Sequence, residues 1–233
     1  MKLRYLLSLI LLIPVVLLVS PRKASSAFSG TAASLTFVID AGHGGEDGGA
    51  VSDDGWKESD LNLAIARKLD LLLGLCGLST TMTRTDDHIA YPDGAETIRQ
   101  RKRADMEYRA ALVNSQERPV LVSIHQNKYS TTGPRGAQVF YGKAEGSRGF
   151  AVSMQAHLAV LCGDHRKVAP IPEEIYLLRE AACPSILVEC GFLSNPEELA
   201  LLKTDAYQTK LAAALTAGCL EHLRDLEKIY GEG

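Results

Sequence analysis

The chain has 233 residues, of which 46% are hydrophobic and 23% are charged, a composition that suits one globular domain with its own core. Four of the 25 basic residues lie within the first 23 positions, so the rest of the chain carries 21 basic against 28 acidic residues. Because a net charge of −7 does not suit binding to a polyanion, we exclude a nucleic-acid partner.

The first 27 residues have the pattern of an export leader. Lys2 and Arg4 precede an uncharged, largely apolar run from Tyr5 to Val19, and small residues lead to Ala27. As a helix this run would span about 22 Å, less than the roughly 30 Å hydrocarbon core of a bilayer. The pattern favours a signal peptide cleaved after Ala27, with an uncleaved membrane anchor as the open alternative. Either way, the domain is exported to the cell envelope.

After a linker at residues 28–34, short apolar runs alternate with amphipathic ones through residues 35–233. This alternation predicts a single α/β domain, with a mixed twisted sheet between helices on both faces and the active site at the strands' C-terminal ends. In chain order we predict a strand at Leu35–Asp40, a helix at Ser59–Leu75, a strand at Ser79–Thr83, a helix at Ile98–Val113, strands at Val120–His125 and Gln138–Tyr141, a helix at Arg148–Leu161, strands at Ile175–Leu178 and Ser185–Glu189, and a helix at Asp205–Leu226.

The five cysteines, at positions 76, 162, 183, 190 and 219, are an odd number without CxxC spacing. A chain of this size folds without disulfides, so we expect mostly buried thiols, with one disulfide as the open alternative.

Polar residues follow three predicted strands at the point where each strand ends. His43 lies in a glycine-rich loop after the first strand, His125 ends the strand from Val120, and Glu189 ends the strand from Ser185. Ligands of open α/β sheets bind at these strand ends, which makes the three side chains candidates for a site. Two imidazoles and a carboxylate are also the ligand set of catalytic zinc sites, although the short HExxH spacing is absent.

Glu58, a further candidate, and His125 also have ordinary structural explanations. Glu58, at the start of the first predicted helix, would complement the helix dipole, and His125 would suit a buried neutral histidine. Glu189 would be costly to bury as a charge without a cation or donor beside it. Phosphate binding by the glycine-rich loop is disfavoured, because GxGxxG and Gly-Lys-Ser/Thr are absent and Glu46 and Asp47 would repel an anion.

Five segments resemble, in order, the motifs of the zinc-dependent N-acetylmuramoyl-L-alanine amidases of amidase type 3. They are Val38–Ala50, Lys57–Ala64, Thr83–Asp86, Ser123–Asn127 and Leu187–Pro196. The resemblance implies one Zn²⁺ ion bound by His43, Glu58 and His125. It also implies that Glu189 is the catalytic carboxylate.

Asp47 and Asn127 match motif positions with supporting roles. The chain departs from the family's pattern at Ala41 (usually Pro), Gln126 and Lys128 (commonly Ala) and Cys190 (usually aliphatic). No departure removes a ligand, and Gln126 and Lys128 are the positions expected to alter substrate contacts at the rim.

The resemblance implies hydrolysis of the amide between the lactyl group of N-acetylmuramic acid and the L-alanine of the stem peptide in peptidoglycan. Local likenesses favour the spore-cortex or germination-specific amidases, which strip peptides so that muramic-δ-lactam can form. A vegetative autolysin, and a non-catalytic peptidoglycan-binding regulator, are the alternatives. A protein activator and membrane anchoring through the leader are further expectations.

Other polar groups are predicted to be structural. We expect His88, His157, His165 and His222 to serve surface or packing roles, and the basic run from Arg99 to Arg103 to form a solvated helix face.

Overall fold

A computed structural model of the protein describes residues 35–89, 91, 95–163 and 166–231. The predicted leader and linker lie outside the described residues, as does His165. Along the chain, the helices and strands are β1 Thr36–Ala41, α1 Glu58–Leu75, β2 Ser79–Met82, α2 Ile98–Ser115, β3 Pro119–Asn127, β4 Gln138–Tyr141, α3 Ser147–Cys162, β5 Ala169–Pro170, α4 Tyr176–Glu180, β6 Ser185–Phe192, α5 Pro196–Leu202 and α6 Asp205–Gly231. Within this part of the chain, no helix has both the length and the apolar character needed to cross a membrane.

The strands form one six-stranded mixed sheet in the order β2-β1-β3-β6-β4-β5. The four strands β2, β1, β3 and β6 are parallel, whereas β4 is antiparallel to β6 and parallel to β5. In the register of the two central strands, His125 of β3 lies opposite Glu189 of β6. The parallel strands therefore bring their carboxyl ends, and these two residues, to one edge of the sheet.

Helices cover both faces of the sheet, which confirms the predicted α/β class. Successive strand side chains point to opposite faces, so Phe37 and Ile39 join the larger core with residues of α1, α3 and α6. Val38, between them, joins the smaller core with residues of α2 and α4. The near-continuous apolar sequence of the central strands follows from this double burial.

The predicted strand at Ile175–Leu178 is wrong, because Ile175 is the N-cap of the short helix α4 and the next three residues are its first three. Leu177 and Leu178 are 4% and 1% exposed, and both join the core on the α2 side of the sheet. Both edges of β6 are already paired, to β3 and β4, so the sheet has no place beside it for this segment. A four-residue apolar run does not distinguish a strand from a buried helical turn.

The predictions also missed β5 and α5. Helix α5 does have a sequence signal, because Asn195 caps it by accepting hydrogen bonds from the amides of Glu197 and Glu198 at 3.0 and 3.2 Å. Pro196 occupies its first turn, where the missing N–H is not needed.

A buried ionic network joins β1 to α2. Arg109 is 1% exposed, and its guanidinium lies 2.8 Å from Asp40 and 2.9 Å from Asp105. It also donates to the carbonyls of Ala41 and His43 at 2.8 and 2.7 Å. Burial raises the pKa of the Asp40 carboxyl, but the adjacent Arg109 outweighs that effect, and the pKa is lowered to about 2. The arginine thus holds the chain where it leaves the end of β1.

Replacing Arg109 by Met should lower the free energy of unfolding by about 3–5 kcal/mol, because it leaves the Asp40 carboxylate buried without its cation. The matched control is Arg103→Met on the same helix, where the arginine pairs with Glu107 at 2.7 Å but is 80% exposed. Because that pair is exposed to solvent, its loss should change the free energy of unfolding very little. Urea unfolding would measure both, and equal losses in the two variants would contradict the assignment.

Candidate metal centre

The carboxylate of Glu58 is the centre of the site. It is the first residue of α1 and is 4% exposed. Its Oε1 accepts from Nδ1 of His125 at 2.9 Å and from the backbone N–H of Gln126 at 3.1 Å, and its Oε2 accepts from the backbone N–H of Ala50 at 2.9 Å. Burial raises the pKa of Glu58, but hydrogen bonds with His125 and His43 outweigh it and hold the pKa far below its usual range. The carboxylate is therefore ionised at neutral pH.

His43 presents one ring nitrogen to Glu58 and the other to Asp47. Its Nε2 lies 3.3 Å from Glu58 Oε2, and its Nδ1 lies 3.0 Å from Asp47 Oδ2. Burial lowers the pKa of His43, but hydrogen bonds to Asp47 and Glu58 outweigh it and raise the pKa to about 9. An acidic carboxylate beside a basic imidazole marks a place where positive charge is stabilised. A carboxylate bonded to the outer nitrogen of a histidine is also the usual support for a metal-binding imidazole.

The loop after β1 approaches His125 more closely than a side chain would allow. A Cβ on Gly42 would lie 2.3 Å from the His125 ring. Gly49 has φ of 67°, and a Cβ there would lie 2.6 Å from both Glu58 Oε2 and the His43 ring. Glycine at these two positions lets the backbone close around the imidazoles.

The three side chains fit the requirements of a metal ion. Their ligand atoms all lie within 4.8 Å of one another, and they are the one such group of three found in the described part of the chain. Tetrahedral zinc with bonds of about 2.1 Å places neighbouring ligand atoms roughly 3.4 Å apart, close to the 3.3 Å between His43 Nε2 and Glu58 Oε2. Neutral imidazole and carboxylate are also donors that zinc accepts.

Glu189 shares a cavity of about 380 Å³ with these three residues. Its Oε2 is buried without a hydrogen-bond partner among the described residues. Burial raises the pKa of Glu189 to about 7, despite the opposing effect of His125. A carboxyl with that pKa exchanges a proton readily near neutral pH. Asn127, at the end of β3, lines the same cavity.

The described histidines that were predicted to have surface or packing roles lie away from this site. His157 pairs with Glu221 at 2.7 Å, and His222 stacks on Phe150 with ring centroids 5.9 Å apart. His88 lies in an exposed segment after β2 and belongs to no metal-binding group of the described residues. All five cysteines are free thiols, three of them buried, as expected.

Two groups of polar residues have partners that the sequence did not predict. The basic run of α2 is largely a solvated face, as expected, but Arg101 also pairs with Glu46, and Lys102 Nζ lies 2.8 Å from Asp47 Oδ1. Both basic residues thereby hold the His43 loop. Gln126 lines the cavity, but its side chain is only 3% exposed and bonds to Asn62.

Sequence reasoning also missed Asn62 and Arg84 as parts of the site. Asn62 Nδ2 donates to Gly42 O at 3.1 Å and to Glu58 Oε1 at 3.3 Å. Its signal was a helix-disfavoured residue one turn after Glu58, hence on the same helix face. Arg84 donates to the carbonyls of Ala41, Gly42 and Ser59 at 2.8–3.2 Å, and no spacing pattern identifies that role.

Comparison with known proteins yields consistent matches over this domain. A family model described as N-acetylmuramoyl-L-alanine amidase matches residues 37–221. A germination-specific N-acetylmuramoyl-L-alanine amidase of Bacillus subtilis is 35% identical over 188 residues, which are 80% of this chain and 79% of the relative. The amidase AmiA of Escherichia coli is 26% identical, and the match covers 84% of this chain and 79% of AmiA. The CwlD amidase of Clostridioides difficile, solved in complex with the GerS lipoprotein, has a TM-score of 0.77 at 37% identity, covering 81% of this chain and 98% of that one.

Replacing Gly42 by Ala should displace the His125 ring. Zinc binding should then weaken roughly 10- to 100-fold, the range for replacing a residue that holds a metal ligand in place. Competition with a chromogenic chelator would measure the affinity. Gly133→Ala is the matched control, because a Cβ at Gly133 meets nothing within 4 Å. Unchanged affinity in the Gly42 variant would show that the close approach does not matter for the site.

Replacing Glu189 by Gln should stabilise the metal-free protein at high pH. The pKa of Glu189 is raised from 4.5 to about 7 in the fold, so the wild-type protein loses stability as pH rises through this interval, whereas the Gln variant does not. Allowing for partial exposure, a gain of about 1 kcal/mol corresponds to a Tm higher by roughly 2–4 °C at pH 8. The difference should vanish at pH 4. A variant less stable than wild type at pH 8 would contradict the assigned burial cost.

Proposed function

This chain belongs to the N-acetylmuramoyl-L-alanine amidase family, and we propose that it uses a zinc ion bound by His43, Glu58 and His125 to cleave peptidoglycan. The bond cleaved is the amide between the lactyl group of N-acetylmuramic acid and the L-alanine that begins the stem peptide. The observation that carries the proposal is the meeting of two imidazoles on one ionised, buried carboxylate beside Glu189. The family is one of amidohydrolases, and the chain is an enzyme of that class.

The imidazole nitrogens of His43 and His125 face the Glu58 oxygens, so a bound cation would replace the protons that lie between them. Asp47 accepts a hydrogen bond from the Nδ1–H of His43, which directs Nε2 at the site. The backbone amides of Ala50 and Gln126 hold Glu58. When bound there, zinc would supply a Lewis acid for the amide carbonyl and would lower the pKa of a water molecule to about 7.

Glu189 is placed to move the protons of the reaction. Its unpartnered Oε2 and its pKa of about 7 suit a carboxylate that takes a proton from the attacking water and returns it to the departing amine of L-alanine. A permanently neutral amide at this position would keep the cavity's shape but would accept no proton. The role of Glu189 is therefore separable from metal binding.

The cavity extends away from the proposed metal ligands, between α2 and the start of α4. Met106 lines it on the α2 side, and Ile175, Tyr176 and Leu177 line it on the other. This arrangement gives the substrate an apolar wall beside the polar reaction centre. Lys128 and Asn127 lie where β3 ends, and we assign Asn127 a supporting role at the substrate side of the centre.

We place the reaction in the spore cortex, where peptide removal precedes formation of muramic-δ-lactam. The identities of 35% to the germination-specific amidase and 37% to CwlD, against 26% to AmiA, support this choice. The enzyme would act outside the cytoplasm, on the cell wall. Since the CwlD structure is a complex with a lipoprotein, we also propose that this chain works with a protein partner. The signal peptide or anchor at residues 1–27, the linker at 28–34 and the domain at 35–233 stay predictions.

Glu189→Gln should bind zinc as wild type does but release peptide from denuded sacculi at least about 100-fold more slowly, because proton transfer by a positioned group contributes roughly 10²–10⁴-fold. His125→Ala should lose both zinc and activity. Glu180→Gln, at an exposed position of α4, is the control and should leave both unchanged.

Metal content and peptide release, measured on the same preparations, distinguish the alternatives. Near-normal activity of the Glu189→Gln variant would refute the assigned role of Glu189. A zinc-loaded wild-type protein that releases no peptide, with or without a partner, would favour the non-catalytic binder.

A further inference from the structure

Gln126 and Cys190 lie on the neighbouring strands β3 and β6, each directly after a residue of the proposed site. Their neighbours His125 and Glu189 face each other across the two strands. Gln126 is 3% exposed and Cys190 is 1% exposed. A large polar side chain is thus buried next to the residues of the proposed metal centre.

A chain of hydrogen bonds leads from Gln126 to the carboxylate of Glu58. Nε2 of Gln126 donates to Oδ1 of Asn62 at 3.3 Å, and Nδ2 of Asn62 donates to Oε1 of Glu58 at 3.3 Å. The same Asn62 amide group donates to the carbonyl of Gly42 at 3.1 Å. Asn62 is fully buried, so water does not replace any of these partners.

The donor from Gln126 completes the hydrogen bonding of the Asn62 amide and reinforces its orientation. An amide has one accepting and one donating end, and the Glu58 and Gly42 oxygens both need the donating end. With Nε2 of Gln126 facing Oδ1, both ends of Asn62 are matched. Alanine at position 126 would leave Oδ1 buried without this partner, and the orientation of the amide would be less strongly determined.

Burying the Gln126 side chain also lowers the stability of the fold. Its Oε1 has no hydrogen-bond partner among the described residues. A buried unpaired acceptor lowers stability, so the side chain is not there to hold the fold together. Local rules are broken in this way mainly at functional positions.

We propose that Gln126 is a positioning residue of the metal centre, which orients Asn62 so that Asn62 holds the Glu58 carboxylate in its metal-binding position. Gln126 acts on the affinity for the metal through Asn62. This inference rests on the proposed zinc site.

Zinc affinity, measured by chelator competition in a double-mutant cycle, tests the proposal. Gln126→Ala should weaken zinc binding about tenfold, and Asn62→Ala roughly 10- to 100-fold, the range for residues that support ligands. If Gln126 acts through Asn62, the double variant should bind no more than about twofold more weakly than Asn62→Ala alone. Full additivity of the two losses, or affinity of Gln126→Ala within about twofold of wild type, would overturn the proposal.

A second variant and a matched control separate positioning from a general effect on folding. Gln126→Met keeps the side-chain volume without the donor, so it should show the same loss of affinity even if the alanine variant folds poorly. Gln208→Ala removes another buried glutamine, whose Nε2 donates to Leu202 O at 2.9 Å and which bonds to none of the ligands. Gln208→Ala should lower the Tm of the metal-free protein without changing zinc affinity. Gln126→Met should weaken zinc binding but lower the Tm less than Gln208→Ala does. The reverse pattern would show that Gln126 has a structural role only.

The wild-type protein and Glu58→Ala distinguish this inference from the proposed function. Stoichiometric zinc in wild type, lost in Glu58→Ala, together with normal affinity in both Gln126 variants, would overturn the inference alone. If wild type binds no zinc, or Glu58→Ala binds it equally well, both the proposed metal site and the inference fail.

Discussion

The buried, ionised carboxylate of Glu58 is the constraint on which the site depends. A charge that is 4% exposed is stable only with partners around it, and they come from the loop after β1, from β3 and from α1 itself. The backbone amides of Ala50 and Gln126 and the imidazoles of His43 and His125 all converge on its two oxygens. Because one carboxylate needs every one of these segments, it fixes where each lies relative to the others.

The loop that carries His43 is held by buried cations on its carbonyl side. Arg84 and Arg109 donate to carbonyls of this loop and of its approach, and Arg109 is itself neutralised by Asp40 and Asp105. The loop can pass close to the His125 ring only because position 42 has no side chain. The geometry of the proposed metal centre therefore depends on the close approach of the backbone and on the buried arginines as well as on the ligand side chains. Such preorganisation keeps the imidazoles in place before any metal arrives.

The sheet register links this centre to the proposed chemistry. His125 and Glu189 lie opposite each other on parallel strands, so the proposed metal ligand and the proposed proton carrier share the cavity without any loop to position them. Burial of a carboxyl normally costs stability, but here it raises the pKa of Glu189 to about 7, where the group exchanges protons near neutral pH. Behind this edge, Gln126 and Asn62 reach the same carboxylate from the core side, a connection particular to a chain with glutamine at that position.

The sequence by itself determined the α/β class, most element positions and the family, because apolar alternation and motif order are local properties. It also placed His43, His125 and Glu189 at strand ends, since the carboxyl ends of parallel strands share an edge. The turn at Ile175–Leu178 was assigned to the wrong structure, because a short apolar run is compatible with either a strand or a helical turn. Only the tertiary structure decided that Glu58 points inward rather than serving its helix dipole, that Lys102 pairs with Asp47, and that Gln126 is buried behind the ligands. These outcomes depend on which side chains meet across elements far apart in the chain, and no local pattern encodes that.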